Sequence, residues 1–177
     1  MSNLEICVCI KSVPDPRHPS EGTIDPATGV MVRQADQLGI PRVISTMDRH
    51  ALEEALRIKD SRGGQVTVIS MDTPAAYDSL KDTLDLGADQ AVLLSDRALA
   101  GADSLATSRT LVSAMNQLGS FDLILCGAWS YHGNTGQVGP QIAELLQLPH
   151  VSFVSELNFE TPTRIRTRSE WESDFVV

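Results

Sequence analysis

Four compact apolar segments, at residues 6–10, 66–69, 91–94 and 123–126, alternate along the chain with stretches of helical patterning. A strand covered on one face alternates apolar and polar residues, whereas a strand covered on both faces is apolar throughout. The runs therefore predict a doubly wound α/β fold: a mostly parallel sheet, joined by right-handed crossovers and sandwiched between helices. In such folds ligands bind beyond the carboxyl ends of the strands, and that rule selects the loops that matter for function.

Cap and stop residues bound the helices. The first is expected to start with Asp48 as N-cap, to bury Ala51, Leu52, Ala55, Leu56 and Ile58, and to stop at Gly63-Gly64. The second opens at Thr73-Pro74 with Tyr77, Leu80 and Leu84 as its buried stripe, and Gly87 closes it. Asp103 caps the third, whose inner face carries Thr107, Leu111, Ala114, Met115 and Leu118 before Gly119. The fourth carries Val138, Ile142, Leu145 and Leu146 ahead of Pro149. Residues 13–40 form an insertion with prolines at 14, 16 and 19, in which 24–32 has the pattern of a small hairpin. Near the end, 163–168 alternates so that Arg164, Arg166 and Arg168 share a face, and 171–177 is expected as the strand that follows. A bare apolar strand end of this kind requires either a covering partner chain or a chain cut short.

Charge narrows the function. With 14 Lys and Arg against 23 Asp and Glu, a net charge of −9 and no basic block, the chain lacks the electrostatic footprint that nucleic acids and anionic membranes require. No apolar run approaches the roughly 18 residues of a membrane span, and 4–10 lacks the basic flank of a secretory signal. The expected location is the cytoplasm, or the mitochondrial matrix in a eukaryote. Three cysteines without an export signal are expected to be reduced. Cys7 and Cys9 share one face of the first strand, where a metal pair is conceivable but buried thiols acting as small hydrophobes are the favoured reading.

The most informative loop is 127–140, Gly-Ala-Trp-Ser-Tyr-His-Gly-Asn-Thr-Gly-Gln-Val-Gly-Pro. It leaves a buried strand and enters a helix, so backbone N–H groups and the positive helix end can converge on a phosphate. Its glycines permit close backbone approach, and Asn134, Thr135 and Gln137 can add side-chain donors. An ordinary glycine-rich turn is an equally weighted reading of spacing alone. His132 either donates to a phosphate or caps the turn, the latter favoured. No Gly-x-Gly-x-x-Gly follows the first strand, no phosphate-loop lysine motif occurs, and Ser130 lies outside a Gly-x-Ser-x-Gly elbow. His18, His50 and His150 lack metal-ligand spacing, so no metal is expected. Glu53-Glu54 is explained by the helix dipole rather than by acid–base work. The residues describe a holder of a nucleotide, with few groups for acid–base or covalent chemistry.

Ordered segments along the chain resemble the β subunit of electron-transfer flavoprotein. They include Val8-Cys9-Ile10-Lys11-Ser12-Val13-Pro14-Asp15, Ile24-Asp25-Pro26-Ala27-Thr28-Gly29, Asp48-Arg49-His50-Ala51-Leu52-Glu53-Glu54-Ala55-Leu56, and Gly64-Gln65-Val66-Thr67-Val68-Ile69-Ser70-Met71. They continue with Leu86-Gly87-Ala88-Asp89, Leu94-Ser95-Asp96-Arg97, Gly101-Ala102-Asp103-Ser104-Leu105-Ala106-Thr107-Ser108, the stretch 121–127 and Gly136-Gln137-Val138-Gly139-Pro140-Gln141-Ile142-Ala143-Glu144. The resemblance implies an adenine-nucleotide α-hydrolase-like (Rossmann-like) fold and an electron carrier rather than an enzyme. It also implies a heterodimer with an α subunit that holds most of the redox FAD, and flavin dehydrogenases as redox partners. This chain would carry a structural AMP or, as in electron-bifurcating members, a second FAD. The implied contacts are Cys9, Ile10, Lys11, Ser45, Ser70 and Met71, with Gly127, Gly133, Asn134, Thr135, Gly136, Gln137 and Val138 around the phosphate. Val13, Pro14 and the insertion would face the flavin side and the partner.

The chain departs from the family pattern where Ser45 stands for Asn, Ala128 for a basic residue, His132 for an acidic one and Asn134 for Asp, which leaves AMP and FAD both open with AMP favoured. The resemblance also implies that the family runs further, into a dehydrogenase-docking segment and an arm that embraces the α subunit. A nucleotide-binding domain is accordingly expected over 1–158, and 159–177 as a hairpin that starts a truncated partner-binding segment. The alternative function is a flavin-free adenine-nucleotide-binding regulatory or stress module of the same superfold.

Overall fold

The structure is a computed structural model, and it describes residues 4–15, 17, 41–129 and 135–170. The hairpin expected at 24–32 and the strand expected at 171–177 lie outside the described residues. The chain runs β1 (Glu5–Cys9), β2 (Ser12–Pro14), β3 (Arg42–Ile44), α1 (Thr46–Arg62), β4 (Gln65–Met71) and α2 (Tyr77–Asp85). It continues through β5 (Gln90–Leu94), α3 (Ser104–Leu118), β6 (Leu123–Cys126), α4 (Val138–Leu146), β7 (Val154–Thr161) and β8 (Arg164–Ser169). The four apolar runs form one parallel sheet in the order β5-β4-β1-β6. From β1 the chain builds outward through β4 to β5 and then returns to place β6 on the other side of β1. The strand order therefore reverses between β1 and β6, the point at which open α/β sheets form a crevice.

Alternation along β1 divides the core in two. Ile6 and Val8 join Val66 and Val68 against Leu52, Ala55 and Ile58 of α1 and Leu80 of α2. Cys7 and Cys9 join Ile69 against Leu111, Val112 and Met115 of α3 and Ile142 of α4. This double cover explains why the strand interiors are mostly apolar on both faces.

Helix starts and stripes differ from expectation in instructive ways. α1 begins at Thr46 with Ser45 in the N-cap position, so Asp48 is not the cap; its carboxylate is turned inward to a backbone N–H beyond the end of β1. α2 is preceded by a 3-10 turn at Pro74–Ala76, and its stripe is Ala76, Ser79, Leu80 and Thr83. Tyr77 is 64% exposed and Leu84 43% exposed. Two buried hydroxyls make that polar stripe tolerable: Ser79 donates to the Arg42 carbonyl at 3.0 Å and Thr83 to the Leu80 carbonyl at 2.6 Å. Asp103 caps α3 as expected, accepting from Ala106 N at 2.7 Å, but Ser108 and Val112 lie inside while Leu118 is exposed. In α4 the buried pair is Ile142 and Ala143, and Leu145 is exposed.

The terminal hairpin pairs β7 with β8 across a turn at Pro162-Thr163, so the partner of the arginine-bearing strand precedes it. Leu157 enters the α1-side core, with Phe159 and Ile165 packed beside it. The Arg62 guanidinium lies 4.3 Å above the Phe159 ring and Arg57 donates to the Leu157 carbonyl at 3.2 Å. Arg164 and Arg166 pair with Glu160, and Arg168 with Glu156 and Glu170, on the exposed face. Leu157→Ala should therefore lower the stability of the whole chain by about 2–4 kcal/mol in urea denaturation. Arg164→Ala, which removes a surface pair, should change it by no more than about 1 kcal/mol.

Candidate functional site

The crevice is built by the backbone first. Cys9 and Cys126 are register partners at the ends of β1 and β6, and the chain beyond each passes the first turn of α1. Lys11 N donates to the Asp48 carboxylate at 2.8 Å, and the Gly127 N–H donates to it from the β6 side. Lys11 returns a bond through its carbonyl, which accepts from Ser45 N at 2.9 Å. A Cβ on Gly127 would collide with the Asp48 carboxylate and lie 2.9 Å from both Asp48 N and the Met47 carbonyl carbon. Glycine is thus required there by the close approach of α1. Asp48 was missed as a site residue, although the spacing Asp48, Leu52, Ala55 already places it on the buried stripe of its helix.

Burial drives the Asp48 carboxyl up to about 7, against the opposing pull of the Lys11 and Gly127 N–H groups and the Lys11 charge. Both protonation states are therefore populated at neutral pH. On the neighbouring strand, Ile10 N donates to the Ile69 carbonyl at 3.0 Å, which fixes Ile10 beside the end of β4. Ser70 follows, 1% exposed, and its hydroxyl oxygen has no hydrogen-bond partner among the described residues. Met71 is half-buried at the strand end. Ser45 is equally buried and makes no side-chain cap bond to α1.

A second polar knot, also missed, ties the β2–β3 ribbon to the sheet. Arg42 donates to the Ser12 hydroxyl at 2.6 Å and to its carbonyl at 2.8 Å, and reaches the Asp72 carboxylate at 3.3 Å. Asp72 also accepts from Ser12 N at 3.2 Å and Thr73 N at 2.7 Å. Arg42 carries no motif, and its partners come from two separate segments.

On the other flank of the crevice, Gly133 and Asn134 lie outside the described residues, as do Ser130, Tyr131 and His132. Thr135 is exposed and its hydroxyl accepts from Gln137 N at 3.4 Å. Gly136 has φ +61°, and a Cβ there would lie 3.2 Å from the Ala128 carbonyl oxygen, so the two backbones approach closely. Gln137 precedes α4; its Oε1 accepts from Ser104 of α3 at 2.8 Å, leaving the amide NH2 as what it can offer. Val138 opens α4, and Gly139 packs close enough to Cys126 that a Cβ would sit 3.5 Å from the cysteine Cβ. A cleft of about 280 Å³ is lined by Ala128, Trp129, Thr135, Gly136 and Phe153.

Cys9, Ile10, Lys11, Ser45 and Gly127 are thus drawn into one bonded cluster around Asp48 and strand β4. Thr135, Gly136 and Gln137 lead into α4, which Val138 opens and whose first-turn N–H groups have no intrahelical acceptor. The features at this end of the sheet are the positive end of the α4 dipole, a close backbone approach at Gly136, and a Ser70 hydroxyl with no partner among the described residues. The neighbouring Cys126 and Cys7 thiols, together with burial, hold the Cys9 pKa well above the usual value. Among the described residues no group of His, Cys, Asp or Glu is arranged to hold a metal ion. No helix among them is long and apolar enough to cross a membrane.

Comparison with known proteins is consistent across this architecture. Residues 20–173 match the family model of the electron transfer flavoprotein domain. The chain is 43% identical over 174 residues to an electron transfer flavoprotein subunit beta of Clostridium acetobutylicum, covering 98% of this chain and 64% of the relative. It is 44% identical over 158 residues to the caffeyl-CoA reductase-Etf complex subunit CarD of Acetobacterium woodii, covering 89% and 58%. To protein FixA of Sinorhizobium fredii it is 41% identical over 170 residues, covering 94% and 56%. The chain therefore spans less than two-thirds of the length of these relatives.

The Asp48 carboxyl makes stability depend on pH in a defined direction. Its folded pKa of about 7 lies above the ordinary carboxylate value near 4, so the fold holds a proton that the unfolded chain releases. The contribution is complete below about pH 4 and is lost as pH rises to about 7. Asp48→Asn has no such proton. Urea denaturation at pH 5 and pH 8 should show wild type losing on the order of 2 kcal/mol more than the variant over that interval.

Proposed function

The chain belongs to the electron transfer flavoprotein domain family, and on that premise we propose that it acts as a β-type subunit that holds an adenine nucleotide and pairs with an α-type subunit in an electron carrier. The observation that carries this reading is the convergence, at one end of the parallel sheet, of the β1, β4 and β6 strand ends with the glycine-flanked start of α4. The nucleotide is AMP or the ADP half of FAD. Cys9, Ile10, Lys11, Ser45, Ser70 and Met71 would line its nucleoside part, and Gly127 with the loop from Gly133 to Val138 its phosphates.

A bound flavin supplies the redox chemistry in such a carrier. The residues of this chain bind and orient. Asp48 fixes Lys11 and Gly127 relative to each other, the α4 start offers N–H groups to an anion, and the Arg42–Asp72 pair holds the β2–β3 ribbon at the mouth. Positioning of this kind needs no acid, base or nucleophile from the chain. The reading extends to an α-subunit partner and flavin dehydrogenases as redox partners, supported by the names of the relatives, one of which is a subunit of a reductase–Etf complex.

Denaturing the purified protein and separating what it releases tests the nucleotide directly. AMP or FAD in roughly stoichiometric amount is expected, and release of no adenine nucleotide overturns the proposal. Co-expression with an α-type subunit should give a yellow complex; colourless homodimers that bind ATP would favour the flavin-free module instead. Gly136→Val should reduce nucleotide content at least tenfold, because the site is left-handed and a Cβ has only 3.2 Å to the Ala128 carbonyl. Gln137→Ala should weaken retention several-fold, read from nucleotide content after dialysis.

A further inference from the structure

The second half of the core contains a pair of thiols whose chemistry nucleotide binding does not call on. Cys9 and Cys126 are Cα partners on adjacent parallel strands, and both side chains lie on the α3–α4 face: Cys9 belongs to that cluster, and Cys126 packs against it and against Gly139 of α4. Neighbouring strands lie about 4.8 Å apart, inside the roughly 4.4–6.8 Å Cα separation that a disulfide spans. As register partners on the same face of the sheet, the two side chains are direct neighbours across the strand pair. Cys7 also touches Cys9, but its register partner on β6 is Ile124, one strand repeat away from Cys126. Cys126 is partly open to solvent, whereas Cys9 is 7% exposed.

From this geometry we infer that Cys9 and Cys126 form an oxidisable dithiol, a modification site at which a hydroperoxide closes a disulfide between β1 and β6. The more open Cys126 thiol reacts first. Its sulfur attacks hydrogen peroxide, the O–O bond breaks, and the products are a Cys126 sulfenic acid and one water. Cys9 then acts as the resolving thiol: its sulfur displaces the sulfenic oxygen, the S–S bond forms, and the oxygen leaves as a second water with the remaining thiol and sulfenic protons. Two thiols are oxidised by two electrons and one peroxide is reduced. Burial and its thiol neighbours keep Cys9 protonated, so direct attack on peroxide falls to Cys126. Gly139 leaves the space above Cys126 free of a side chain, so the link closes beneath the start of α4. The bond would fasten the two strand ends that carry Lys11 and Gly127, and it is independent of which ligand, if any, those residues hold.

The test is peptide mapping of the full chain after treatment with hydrogen peroxide and blocking of residual thiols. Trypsin places Cys7 and Cys9 in peptide 1–11 and Cys126 in peptide 110–164. The expected product is these two peptides joined, two hydrogens lighter than their sum, with fragmentation at Val8 assigning the link to Cys9. Free thiols should fall from three to one and return with dithiothreitol. Cys9→Ser should abolish the link and Cys7→Ser should keep it; if either variant fails to fold, the fragment spectrum of the wild-type peptide decides. A link through Cys7, Cys126 carried to sulfinic acid without a link, or disulfides only between chains would each overturn the inference.

Discussion

One buried carboxylate organises the functional end of this molecule. Asp48 sits where β1, β6 and α1 converge, and accepts backbone N–H groups from the loops that leave both strands. Without an acceptor there, the amides of Lys11 and Gly127 would be buried and unpaired, each at a cost of about 1–3 kcal/mol. The same side chain forces glycine at 127 and draws α1 back to start at Thr46. The crevice between β1 and β6 is therefore a product of sheet topology, with one side chain joining the loops that leave both strands.

The other charges near the mouth follow the rule that a buried ion must be paired and hydrogen-bonded. Arg42 and Asp72 are nearly enclosed, at 14% and 9% side-chain exposure, and each has backbone or hydroxyl partners besides the other. Asp15, buried at 3%, is met in bidentate fashion by the exposed Arg17. Near the strand ends the enclosed cation Arg42 is thus matched by Asp72. The hairpin arginines are different in kind. They lie on an exposed face against glutamates and contribute little to holding the fold.

Much of the architecture was legible in the sequence because it follows from local pattern. Continuous apolar runs located all four parallel strands, and glycines at 63, 87 and 119 marked helix ends, each with the positive φ that favours glycine. Asp103 was readable as a cap because its partner, Ala106 N, is three residues away. The readings that failed depended on orientation. Tyr77 and Leu84 looked like core because they are large and apolar, but Ser79 and Thr83 could be buried in their place once carbonyls were available for their hydroxyls. The terminal hairpin was expected and is present, but alternation identified only β8 and could not say that 154–161 pairs with it.

What the sequence determined by itself was the class of fold, the family, and the presence of a glycine-flanked helix start after the last strand of the sheet. These are encoded in residues adjacent in the chain, through periodicity and backbone conformation. The tertiary structure alone decided that Asp48 is a clamp rather than a cap, that Arg42 locks onto Asp72, that the Ser70 hydroxyl has no partner among the described residues, and that Cys9 faces Cys126. The reason is physical. Asp48 meets Lys11 across 37 residues and Arg42 meets Asp72 across 30, and which of many possible donors a polar side chain reaches is fixed only when the sheet order brings distant segments together.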